Sequence, residues 1–531
     1  HGFYKTTDGG ATWTSITTVN DVQYGADFSR GQAWYDLSLE VAPDDPNKVV
    51  VGGINVFRSL DGGASWTQVS HWYGGFGLPY VHADQHGVAF RPGLSDHVLF
   101  SNDGGVYATE NLSAPAPTPV DRNTGYNVTQ FYAGAIAPEA GSHVMLAGAQ
   151  DNGTQRFDAA GIDATVEVRG GDGGFTFIDQ TNSLIGIASY VYNNFYRSVN
   201  GGHSFPLTLL SENTGYFINY ADYDDREDIL FTTRDATTIW RVSGVSTTPS
   251  PQQVPMSLGS RATHFRVSPY STPGTTTLFI GTEGGRVYKV TDAHATPVLT
   301  QINAGAGMAG TISCIEIGES ENHLLVTISN YNAQSVWETV DGGTTWMNRT
   351  GNYPRVPVRW ALFNPNDRRR VILATEAGVW ETTDITVASP EWTPAPSFPT
   401  VRVDMLQWRE SDQTVMAATH GRGVYTATFL QGTVANEGGP EQPGATHTLA
   451  ASPNPFRNQS EVTLSVARAQ RVRAEVFAID GRRVAVLLDE DVAAGQRVRL
   501  SLDGQALPAG AYVVAVQGED FRDQVRVTRV R

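Results

Sequence analysis

Ser59-Leu-Asp61-Gly-Gly-Ala-Ser-Trp66 decides how this chain is read. A hydroxyl residue, an aspartate two places on, two glycines and a closing tryptophan are the parts of a self-bonded turn. The aspartate accepts backbone N–H groups within the turn, the glycines take positive φ, and the aromatic tucks beneath. The pattern returns from Thr6 to Trp13 around Asp8, and from Thr339 to Trp346 around Asp341. A drifted copy runs from Ser198 to Phe205, with Asn200 and Phe205 at the key positions. Short β-patterned runs flank these turns (VFRSL, FYRSV, SVWETV), so each is the tip of a hairpin. Asp8, Trp13, Asp61, Trp66, Asn200, Phe205, Asp341 and Trp346 are therefore assigned to structure.

A longer period surrounds the turns. Apolar strands ending in a Gly/Asn/Asp tip, followed by a strand with an aromatic, begin at Val49, Val98, Val144, Leu184, Ile229, Leu278, Leu324, Val371 and Val415. Their spacing is 40 to 49 residues. About four short strands per repeat at that period fit β-propeller blades. With 55 Gly, 27 Pro and 17% charged residues, the composition also suits an all-β, turn-rich protein.

Residues 1–430 resemble the Asp-box (BNR) propellers, a unit shared by sialidases, sortilin-type receptors and tandem-propeller xyloglucanases. The resemblance implies a fold and leaves function open. The Pro-rich stretch from Ala114 to Pro119 follows the second complete blade, and seven strand pairs come after it. Residues 1–120 are read as the last blades of a first propeller and 121–430 as a complete seven-bladed one. A single ring of nine or ten blades is the alternative. The opening HGFYKTTDGGATW reads as the second half of a repeat, so His1 is not expected to be the biological N-terminus.

Residues 431–446 are Gly/Glu/Pro-rich and read as a linker. Residues 447–531 then carry 12 Arg against 10 Asp and Glu, whereas the whole chain has net charge -17. Their short alternating runs (VTLSV, RVRLSL, QVRVTRV) predict a small Ig-like β-sandwich. Ser452-Pro-Asn-Pro-Phe456, AEVFAIDGRRVAVL, Leu507-Pro-Ala-Gly-Ala-Tyr512 and a basic last strand resemble the type A sorting domain of type IX secretion cargo. That resemblance implies a partner, the type IX secretion machinery, and a location that is extracellular or on the outer cell surface.

The acidic balance argues against nucleic acid and anionic membranes as partners. No run of 18 apolar residues offers a membrane span. The lone cysteine, Cys314, lies in the alternation TISCIEI and is expected to be a buried strand residue.

In a four-stranded blade the loops between second and third strands share a face with the blade-to-blade crossings, opposite the Asp-box turns. Ligand residues are therefore sought at those tips and crossings. His82, Asp84 and His86 alternate, so a strand places them on one face as metal ligands, or as polar residues lining a solvated channel. Trp72 and Tyr73 before them form a sugar-stacking wall or a packed loop. Gln150, Asp151 and Asn152 at one tip, Asp172 at the next crossing and Asn193 at the following tip form a second group. Asp151 and Asp172 suit acid/base hydrolysis, or oxygen ligation of calcium or another divalent metal; all of these are also ordinary turn residues. QDNG with GGDGG resembles a group of secreted, glycosidase-like tandem propellers. Arg359, Trp360 and Arg422 form a third group, fit for a carboxylate or sugar or as ion-paired rim residues. No Arg-Ile-Pro motif marks a sialidase.

Two functions remain. One is a glycan- or protein-binding or structural module, with polysaccharide or a surface protein as partner. The other is a xyloglucanase-like glycoside hydrolase with its site in the inter-propeller cleft.

Overall fold

A computed structural model describes residues 2–429, except 163, 164 and 397, and residues 447–530, except 453, 455, 479–481, 506, 509 and 520. The linker expected at 431–446 lies outside the described residues. Those residues contain strands, bridges and turns and no helix, so no helix is long and apolar enough to cross a membrane. The chain divides into two compact units, one ending at Gln431 and the other beginning at Gly432.

The first unit is a succession of antiparallel meanders packed as β-propeller blades. After a two-stranded hairpin (Phe3–Lys5 with Thr14–Ile16), four-stranded sheets cover 38–68, 85–121, 131–169, 176–212, 221–255, 262–301, 312–348 and 358–394, and a three-stranded sheet covers 403–428. In each, hydrogen-bonded order follows chain order. The second strands read as unbroken apolar runs because they are buried on both faces between neighbouring sheets. Met145–Ala149, Ile229–Thr233 and Leu324–Ile328 are buried throughout. Fourth strands such as Ser250–Pro255 are mostly exposed. Cys314 is buried in Ile312–Ile317, where burial raises its thiol pKa well above the ordinary value.

The sheet at 403–428 returns to the one at 131–169. Gln130 and His420 form a β-bridge, Gly421 N–H donates to the Thr129 carbonyl at 3.1 Å, and Asn127 Nδ2 donates to the Arg422 carbonyl at 2.8 Å. Phe131, Ala133, Met405 and Met416 share one core across that junction.

The four turns quoted at the outset share one bonding scheme. In the second, Ser59 Oγ donates to Asp61 Oδ1 at 2.7 Å, Ser65 N–H donates to the same oxygen at 2.8 Å, and Gly63 N–H donates to Ser59 Oγ. Asp8 and Asp341 repeat this, and Asn200 keeps it through Oδ1. Gly62 and Gly63 sit at φ +69° and +91°, which side chains avoid. The aromatics do more than tuck beneath. Trp66 Nε1 donates to the Thr17 carbonyl and Trp346 Nε1 to the Ile302 carbonyl, each in the preceding repeat; Trp13 is 61% exposed.

Arginines on third strands make a second tie between blades. Arg197 donates to the carbonyls of Val245 and Thr247, Arg241 to those of Ala293 and Ala295, and Arg156 to Gly201. Carbonyls left over at one blade's turn thus gain charged donors from the blade before.

In the second unit, a three-stranded sheet (His447–Ser452, Gln459–Val466, Val498–Asp503) and a four-stranded sheet (Arg483–Val492, Gln470–Ala478, Gly510–Gln517, Arg522–Arg529) enclose one core that includes Val462, Val476, Leu500 and Val514. Asn454 joins the last strand, donating to the Arg526 carbonyl and accepting from Thr528 N–H. Tyr512 hydroxyl donates to the Pro508 carbonyl.

Candidate functional site

Crossings and second-to-third tips share a face, and on it the first unit opens a cleft of about 1130 Å³. One wall is aromatic. Trp34 and Tyr35 come from the segment before the sheet at 38–68; Trp72, Tyr73 and Tyr80 come from the crossing after it. Trp34 is 85% exposed. The others are held: Trp72 Nε1 donates to the Tyr24 hydroxyl, and the Tyr73 hydroxyl donates to Gln23 Oε1. Tyr190 from a later second-to-third tip and Phe217 from a later crossing also line the cleft.

Carboxylates sit within this frame. Asp151, at φ +61°, occupies the tip after Met145–Ala149, and its N–H donates to Asp172 Oδ1 at 3.0 Å. Its carbonyl accepts from His82 Nε2 at 2.8 Å. Asp103, at the equivalent tip between Leu94–Asn102 and Gly105–Thr109, accepts from the Tyr35 hydroxyl and His86 Nε2. Asn152 Nδ2 donates to the Asp103 carbonyl, tying the two tips together.

Electrostatics follow from burial and like charge. The Asp151 carboxyl is pushed above the usual carboxylate range by burial, then by Asp172 and Asp103. Asp84 is raised by burial and by Asp103. Asp36, with no exposed surface, is raised to about 7 by burial and then by Asp84. The Tyr35 hydroxyl is held protonated by burial and by its bond to Asp103.

Several sequence expectations change. The alternation of His82, Asp84 and His86 does not fall on one strand, because Gln85–Arg91 begins only after Asp84, itself at φ +65°. The two histidines hold backbone and carboxylate oxygens instead of forming a ligand set with Asp84. Asp84 converges on Asp103 and Asp151. Asn193 is fully buried, bonding to the Thr214 and Thr233 carbonyls, so it faces no ligand.

Arg359 and Trp360 line a separate hollow of about 140 Å³ with Arg402 and Asp404. There Arg359 pairs with Glu376 and Asp404, and Trp360 is buried. Arg422 is exposed and does not line the cleft. Trp72, Tyr73, Gln150, Asp151 and Asp172 line the cleft together; Asn152 lines the adjoining hollow of about 470 Å³.

Sequence reading missed Trp34, Tyr35, Asp36 and Asp103. Asp103 had a signal, because SNDGGV holds the place in its repeat that AQDNGT holds in the next.

No family model matches the chain. Part of it is similar to a xyloglucanase from Paenibacillus sp, with 32% identity over 122 residues, 20% of this chain and 11% of that enzyme. The chain therefore spans about a ninth of the curated relative's length.

Proposed function

We propose that this protein acts outside the cell and binds a polysaccharide chain along the aromatic-walled cleft. One observation carries the reading: Trp34, Tyr35, Trp72, Tyr73 and Tyr80 line a single open groove beside acidic and amide groups. Flat amphipathic rings offer apolar faces for sugar rings, and nearby polar groups fix hydroxyls. Trp34→Ala tests it, because so exposed a side chain contributes little to folding. Affinity electrophoresis or calorimetry against xyloglucan and β-glucans should show binding by the intact chain and at least about 10-fold weaker binding by the variant.

Hydrolysis in the same cleft is a second reading, favoured by the similarity to a xyloglucanase. Asp151 and Asp172 are then the carboxylate pair, linked through the Asp151 N–H. Release of reducing ends from xyloglucan, abolished by Asp172→Asn with binding retained, is its test.

The domain reading belongs with these proposals. The sheets at 131–428 form one ring of seven blades, and those at 38–68 and 85–121 belong to another. Their mutual packing supports this: 403–428 meets 131–169, while 38–68 and 85–121 share a core that includes Val50, Val81, Val98 and Phe100. Residues 447–531 serve as the type IX sorting domain, supported by the quoted landmarks and the change in charge. Removing them in a host with that pathway should retain the protein inside the cell; unchanged export would refute the assignment.

A further inference from the structure

We propose that Asp84, Asp103 and Asp151 bind a calcium ion at the edge of the cleft. Each offers a carboxylate oxygen, and the three lie within 4.8 Å of one another. A calcium ion with metal–oxygen distances of about 2.4 Å places its ligand oxygens no more than about 5 Å apart. The spacing is that of a coordination sphere around one centre. Left without counter-charge, it is a costly cluster of anions.

Among the described residues no lysine or arginine pairs with any of the three. The one ion pair they make is Asp103 with His86. Arg30 acts on Asp84 only at a distance.

A second, independent observation points to a cation at this place. Asp36 is fully buried, and neither carboxylate oxygen has a hydrogen-bond partner. The charges that act on it are those of Asp84, His86 and Asp103, so it belongs to the same cluster. Asp84 Oδ1 is likewise buried and unpartnered. Orphaned buried carboxylate oxygens are rare, and a bound ion is one of the arrangements that satisfies them. A cation held by these three satisfies Asp84 directly and supplies the counter-charge that Asp36 lacks.

The donor chemistry selects the ion. All three groups are carboxylates, which suit a hard cation. The histidines are already engaged: His86 Nε2 and the Tyr35 hydroxyl steady Asp103, and His82 Nε2 donates to the Asp151 carbonyl. Calcium accepts irregular oxygen sets from loops and completes its shell with water, whereas magnesium demands near-octahedral geometry. The ion would link the crossing that carries Asp84 to the tips that carry Asp103 and Asp151. It would also face the cleft, where its open positions suit sugar hydroxyls.

This inference does not depend on the polysaccharide reading. It does bear on hydrolysis, since an ion held by Asp151 withdraws that carboxylate from proton transfer.

The test uses the full chain, stripped with a chelator and without polysaccharide. It is titrated with calcium chloride by calorimetry, and with terbium by sensitised luminescence from the neighbouring Tyr35. One saturable site is expected, with a dissociation constant at or below about 1 mM. Asp84→Asn and Asp103→Asn should each weaken it at least about 10-fold and remove the calcium-dependent rise in Tm. Asp341→Asn, in a distant turn, should change neither. Both cleft variants relieve like-charge repulsion, so loss of folding is not expected, and their Tm without calcium checks this. No saturable binding up to about 10 mM calcium, or unchanged affinity in both variants, would overturn the site. Binding of Trp34→Ala to calcium as tightly as wild type, with polysaccharide binding lost, would separate the two proposals.

Discussion

The backbone N–H of Asp151 donates to Oδ1 of Asp172 across 3.0 Å, joining the tip of one blade to the crossing into the next. Gly153 and Gly173 allow the close approach. A Cβ on Gly173 would lie 2.2 Å from the Gly153 carbonyl oxygen. The Asp172 carboxylate is thus held against the Asp151 backbone. If the cleft hydrolyses its polysaccharide, Asp172→Asn should keep this bond through Oδ1 and lose the charge. The turnover rate should fall at least about 100-fold with little change in binding, read by reducing-end assay and calorimetry.

The turn aspartates predict an acid limit. Hydrogen bonds from Ser65 and Ser59 hold the Asp61 carboxyl at about 2, and Thr345 and Thr339 do the same for Asp341. A folded pKa below the unfolded value of about 4 means their stabilisation is present above pH 4 and lost as pH falls toward 2. Asp341→Ala should lower Tm by about 2 °C at pH 7 and less at pH 2.5. Asp341→Asn should cost less than Asp341→Ala at pH 7, because Asn200 shows that an amide keeps the Oδ1 bonds while giving up the charge.

His264 predicts a second pH effect, nearer neutrality. It is buried against Trp360 with ring centroids 4.9 Å apart, and burial with the Arg266 charge holds its pKa at about 3. The unfolded chain binds this proton from about pH 6.5, so stability present above that value drains as pH falls toward 3. The slope is up to about 1.4 kcal/mol per pH unit. His264→Leu should flatten the urea midpoint between pH 7 and 5; an unchanged slope would remove His264 as its cause.

Arg197 predicts the strength of the tie between blades. It is buried and donates to two carbonyls of the following sheet. Arg197→Met keeps the apolar stem and strands both carbonyls, so chemical denaturation should show a loss of about 2–4 kcal/mol.

The blades were legible because their signals are local. Apolar runs such as LLVTI and the hydroxyl-x-Asp-x-Gly turns carry strand and turn in a few adjacent residues. The arginine tie was also present in sequence, as Arg156, Arg197 and Arg241 recur in three successive third strands. The site was less legible because it is assembled from afar. Trp34 and Asp36 lie in the irregular stretch before the sheet at 38–68, where no period marks them. Asn193 looked like a tip residue but is the first residue of a strand, and its amide bridges blades. His82, Asp84 and His86 satisfied an alternation that the backbone breaks at Asp84, where positive φ re-aims the carboxylate toward Asp103 and Asp151.

If the aromatic cleft holds a polysaccharide chain, calorimetric titration of wild type and Trp34→Ala with xyloglucan will show it. Saturable binding by the intact chain is expected, with at least about 10-fold weaker binding by the variant at unchanged Tm. Equal affinity in the two proteins, or no binding of xyloglucan or any β-glucan by the intact chain, would contradict it.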